Sequence, residues 1–145
     1  MSAVLGVNAT LYAAGGTQKI VQGITDAGIR SFTDTYEASA LATCSQIKMG
    51  PVLTAGIRIK GFKLAYDAIS TVTLQVSDTI AVVGTPRYCA DTTTANTAGN
   101  LDAILVDGLD YLIGTTSGDD QIVINTTGVS SATGTIKLVV FYSNN

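Results

Sequence analysis

The sequence predicts an all-β chain: an antiparallel β-sandwich of about eight strands, jelly-roll-like, carrying an extended N-terminal arm. Three observations predict it. Stretches rich in β-branched and aromatic residues recur at intervals of roughly ten residues with turn signals between them. No stretch carries the apolar period of a long helix. The closing stretch Gly134–Tyr142 alternates as a strand does. It places Ile136, Leu138, Val140 and Tyr142 on one face and Lys137, Val139 and Phe141 on the other. One face fills a core, so Val139 and Phe141 need a second cover, from a loop or from another subunit. The expectation here is another subunit.

Length and composition set the frame. A chain of 145 residues forms one domain and buries about two-thirds of its unfolded surface without staples. It is 46% hydrophobic and 13% charged, roughly half the usual charged fraction, which excludes disorder. Low charge with a positive mean hydropathy predicts surface hidden in an assembly. The net charge of −3 and eight scattered basic residues exclude nucleic acid as a partner. Arg58, Lys60 and Lys63 are the only local basic group, read as a solvated strand face. No secretory signal opens the chain and no apolar run reaches the roughly 18 residues of a membrane helix. Synthesis in the cytoplasm is expected, with Cys44 and Cys89 as buried thiols rather than a bridge.

The elements follow in order. Residues 1–28 form the arm, because Gly15, Gly16, Gly23 and Gly28 break any helix at about 1 kcal/mol each. Its apolar residues Val4, Leu5, Val7, Leu11 and Tyr12 are candidates for an interface with a neighbour. Residues 29–145 form the sandwich domain. Ile29–Ala38 is the first full strand, and Ser45–Met49 a short one with Ile47 and Met49 inward, stopped by the turn Gly50-Pro51. Ala55–Tyr66 is a long strand whose apolar positions change phase at Gly61, from Ile57 and Ile59 to Phe62, Leu64 and Tyr66. A bulge or bend at Gly61 explains the slip and could carry the strand from one sheet to the other. Thr71–Ser77 alternates cleanly, with Val72, Leu74 and Val76 inward. Thr79–Val83 and Arg87–Ala90 are shorter pieces, and the small polar run Asp91–Asp102 is a surface loop. Tyr111–Gly114 and Gln121–Asn125 pair as a hairpin around the loop 115–120, before the closing strand.

Catalytic chemistry is scarce. There is no histidine, so the commonest general base and metal ligand are missing and no Ser-His-Asp or Cys-His site can form. Asp119-Asp120 is the only adjacent carboxylate pair after a glycine, and is read as a loop tip that solvates a hairpin. The alternative is a Ca²⁺ ligand pair completed by Asp107 or Asp110. Neighbours on a tip do not face each other across a substrate, which excludes glycosidase chemistry. No cofactor and no metal are expected.

Leu5–Tyr12, Asp34–Ser39, Ile57–Asp67 with its Leu64-Ala65-Tyr66-Asp67 ending, Tyr111–Ile124 and Gly134–Val140 together resemble a family of small virion proteins of tailed phages. These are encoded beside the major capsid protein and act as head decoration or cement proteins. The resemblance implies a jelly-roll-like subunit forming homotrimers at local threefold positions on the outer capsid surface. There it would clamp capsid subunits against internal DNA pressure, with no enzymatic activity. The family's interface residues do not carry over; the candidates, taken from their apolar character outside the core pattern, are Val4, Leu5, Val7, Leu11, Tyr12, Val139 and Phe141. The rival expectation is a receptor- or carbohydrate-binding module of a tail or fibre, using polar loops at 91–100 and 115–120. A third is a filament or surface-layer subunit.

Overall fold

The computed structural model describes residues 3–5, 28–41, 45–69, 72–81, 86–89, 98–102, 105, 108–114, 118–128 and 132–144. Its strands are β1 (Ala3–Leu5), β2 (Arg30–Leu41), β3 (Gln46–Leu53), β4 (Ile57–Tyr66), β5 (Thr73–Asp78), β6 (Gly99–Leu101), β7 (Asp120–Thr127) and β8 (Ala132–Asn144). They form two four-stranded sheets, ordered β1-β3-β7-β5 and β2-β8-β4-β6. Every pairing is antiparallel except β1 with β3. From β2 onward the chain changes sheet at each successive strand, so neighbours in a sheet are distant in sequence. A bridge between Val76 and Cys89 adds the 87–89 segment to the free edge of β5. Two interlocked antiparallel sheets wound in this way are a jelly-roll sandwich.

The core lies between the sheets. β8 contributes Ile136, Leu138, Val140 and Tyr142, β4 contributes Ile57, Ile59, Phe62 and Leu64, and the facing sheet contributes Ile47, Met49, Leu74, Val76, Ile122 and Ile124. Each such side chain is stabilised by about 1.5–3 kcal/mol relative to exposure. The phase slip at Gly61 is a bulge: the ladder with β8 shifts register between Ile59 and Gly61. The extra residue keeps both apolar sets on the inner face, and β4 stays in one sheet throughout rather than crossing to the other.

Four expectations need correction. Gly50-Pro51 does not end β3. Gly50 lies at φ 67° and the ladder to β7 shifts register between Met49 and Leu53, so the glycine makes a bulge inside a longer strand. The Phe32 ring lies where a Cβ on Gly50 would stand, so close packing also demands glycine. Tyr111–Gly114 does not form a hairpin with β7. It lies in the opposite sheet, alongside the first half of β4, through Ile59 N–H to Tyr111 O (3.0 Å) and Ile113 N–H to Ile57 O (2.8 Å). Short apolar runs state that a strand exists, not its neighbour. The expected loop at 91–102 is interrupted by β6. Asp120, read as a loop tip, opens β7 and is 2% exposed.

Of the arm, Ala3–Leu5 form β1 against β3. Val7, Leu11 and Tyr12 lie outside the described residues. Cys89 is a buried thiol, and Cys44 lies outside the described residues.

Candidate functional site: the open outer sheet face

The two outer faces of the sandwich differ. On the sheet holding β7 the outward residues at the middle of β5 and β7 are covered: Val123 is 0% exposed, and Ser77, Gln75 and Asn125 are buried with it, while Gln46 and Lys48 of β3 are half-buried. On the other sheet the outward residues remain open. Lys63, Ala65, Lys137, Ser31 and Thr33 are exposed, and Val139 and Phe141 are half-buried.

The ladder fixes this open face as rows across β2, β8 and β4. Phe141 stands between Ser31 and Gly61, Val139 between Thr33 and Lys63, and Lys137 between Thr35 and Ala65. Directly opposed side chains lie about 4.5–5.5 Å apart at Cβ and diagonal ones about 7–8 Å. Gly61 offers no side chain, which leaves the Phe141 ring uncovered on its β4 side; a Cβ at Gly61 would lie 3.9 Å from that ring. At the far end the Thr135 hydroxyl donates to Glu37 (2.9 Å) and the Asp67 carboxylate accepts from Thr135 N–H (3.0 Å). Read along β8, the face runs from acidic through basic to apolar.

Where β6 joins β4 through Ala65 and Asn100, the face deepens into a cavity of about 340 Å³ bordered by Lys63, Ala65, Asn100, Asp102, Lys137 and Val139. The basic group seen in the sequence divides here. Arg58 and Lys60 both pair with Asp110, and these two cations hold the exposed Asp110 carboxyl below its ordinary range, Lys60 most of all. The Lys63 ammonium, beyond the bulge, has no hydrogen-bond or ion-pair partner among the described residues, and neither has that of Lys137.

A second polar group is buried at the end of β5 and β7. Asp78 accepts from Ala81 N–H (2.6 Å) and Ile80 N–H (3.2 Å) and pairs with Arg87. Arg87 also lies 4.0 Å over the Tyr111 ring. Burial opposes the Arg87 charge, but the hydrogen bond and charge of Asp78 outweigh it and raise its pKa. Asp120 Oδ1 accepts from Thr79 N–H (3.0 Å), the Thr79 hydroxyl and Gln121 N–H (2.7 Å). Among the described residues its Oδ2 has no hydrogen-bond partner, and the buried Tyr88 hydroxyl lies in the field of Asp78. Burial, with help from the Asp78 charge, pushes the Asp120 carboxyl above its ordinary range, and burial pushes the Tyr88 phenol up as well. This group ties Thr79–Ala81 and Arg87 to two strand ends. No cluster of three metal-ligating side chains occurs among the described residues.

Asp119 is exposed and accepts from Ala55 N–H (3.2 Å), so the two adjacent carboxylates point into different surroundings. Asp119 precedes the strand and faces solvent, whereas Asp120 opens β7 and is turned inward.

No protein-family model matches the chain, and no curated protein is similar to it in sequence. Its fold is similar to those of solved phage chains. One, from the capsid of Ralstonia phage GP4, is 19% identical with a TM-score of 0.69, the match covering 99% of each chain. Another, from the cyanophage Pam1 capsid asymmetric unit, is 19% identical with a TM-score of 0.61, covering 90% of this chain and 99% of that one. At this identity the likeness is one of fold, and it extends over the whole jelly roll.

Proposed function

We propose that the chain is a structural virion protein of a phage, a capsid decoration or cement protein. It binds the outer surface of the head as a homotrimer and stabilises the lattice of the major capsid protein. The observation that carries this reading is the end-to-end likeness in fold to a chain of the Ralstonia phage GP4 capsid. The open face supports it: Val139 and Phe141 remain half-buried in the single chain, as expected of a surface completed by a neighbour. The contacts with neighbouring copies and with the shell are built from Val139 and Phe141 together with the arm residues Val4, Leu5, Val7, Leu11 and Tyr12. The protein is made in the host cytoplasm, needs no cofactor and performs no catalysis; its work is adhesion, repeated by symmetry.

Two measurements test this. Sedimentation of the purified chain at micromolar concentration is expected to give a trimer, and a stable monomer counts against it. Mixing with purified heads assembled without the chain is expected to give saturable binding and to raise the temperature at which the heads release DNA. Heads that bind none of it would sink the reading.

A further inference from the structure

We infer that the cavity between Lys63 and Lys137 is the docking site for an acidic segment of the shell protein. A carboxylate would seat over the two ammonium groups, and a neighbouring apolar side chain would rest on Val139. The inference deepens the decoration reading and rests on it. Lys63 is opposed to Val139, and Lys137 lies two residues along β8 from that pair, so the two ammonium groups flank one pocket at diagonal spacing. Neither is neutralised within the described residues, whereas Arg58 and Lys60 on the same strand are. Asp102 at the rim leaves the cavity with an excess of one positive charge.

Charge complementarity selects the occupant. A chain with net charge −3 that leaves two cations beside an apolar strip presents a local field opposite to its overall one, which orients a partner. A two-fold contact of this patch with itself would oppose lysine to lysine, at a cost; a cyclic trimer joins unlike patches, and the oligomeric state of the Lys63→Glu/Lys137→Glu variant separates that case. Nucleic acid fits poorly, because two lysines make no phosphate track and the adjoining strip is apolar. The cavity of about 340 Å³ lies at the small end of the roughly 300–1,000 Å³ range of binding clefts. That size suits a few side chains of an extended segment.

The test compares wild type, Lys63→Glu/Lys137→Glu and Lys63→Arg/Lys137→Arg for binding to heads assembled without the chain, at about 50 and 500 mM NaCl. Both lysines are exposed, so unchanged melting midpoints and sedimentation are expected for all three. The Glu pair is expected to lose tenfold or more in affinity at low salt, the Arg pair to bind like wild type, and high salt to shrink the gap. Equal binding by wild type and the Glu pair overturns the inference while decoration stands. Failure of wild type itself to bind removes both. If the Glu pair instead falls apart as an oligomer, the occupant is a second copy and the inference is overturned.

Discussion

Replacing Asp34 by Ala tests what joins the two sheets apart from apolar packing. Asp34 projects from β2 into the interior, where it is 1% exposed. Its Oδ2 accepts from Gly50 N–H of the opposite sheet at 2.6 Å and its Oδ1 from Thr35 N–H at 2.8 Å. Gly50 needs that acceptor because the bulge turns its N–H out of the ladder and into the core. Hydrogen bonds to a charged acceptor contribute about 1.5–3 kcal/mol, and a buried donor left unmatched costs about 1–3 kcal/mol. The Thr35 N–H is half-buried and can regain water, so it adds less. Removing the carboxylate also relieves its desolvation, which offsets part of the loss. The net expectation for Asp34→Ala is a loss of about 2–3 kcal/mol. At about 2–4 °C per kcal/mol for a chain near this size, the melting midpoint falls by roughly 4–12 °C. Asp34→Asn keeps one acceptor oxygen and is expected to lose about half as much. Thermal and urea unfolding followed by circular dichroism, at fixed protein concentration, reads both. A midpoint within about 1 °C of wild type for Asp34→Ala would refute the claim that this carboxylate stabilises the bulge.

Three further outcomes are expected. Gly50→Ala combines a left-handed backbone with a collision against the Phe32 ring, and is expected to cost about 2–5 kcal/mol in urea unfolding; a loss below about 1 kcal/mol would mean that the ring yields freely. Because Asp120 binds its proton more tightly folded than unfolded, its contribution is full below the ordinary carboxyl value near 3.8 and declines as pH rises through the raised one. Asp120→Asn should flatten that decline, and a pH–stability profile unchanged by it would sink the assignment. Val139→Ser with Phe141→Ser is expected to leave the monomer fold intact by circular dichroism while weakening the trimer or its binding to heads at least tenfold, since both side chains lie on the open face; an unaltered sedimentation profile and unaltered head binding would remove them from the interface.

The sequence by itself determined the β-sandwich, its longer strands and the side of the cleanly alternating ones that faces the core. Alternation is a local property: Ile57, Ile59, Phe62 and Leu64 fall inward whatever their neighbours are, and the slip at Gly61 is legible because a bulge changes phase by one residue. The open face of β8 was legible for the same reason, since Val139 and Phe141 alternate with the core residues. Only the tertiary structure decided the pairing, because a strand's partner is chosen by residues far away in the chain. Hence Tyr111–Ile113 joins β4 rather than β7, and Gly50 continues a strand because Asp34 and the Gln121 amide, which donates to Gly50 O at 2.7 Å, satisfy its backbone from outside the ladder. The lysine pocket became visible the same way. Lys63 and Lys137 lie 74 positions apart in the sequence, and antiparallel register alone makes them neighbours.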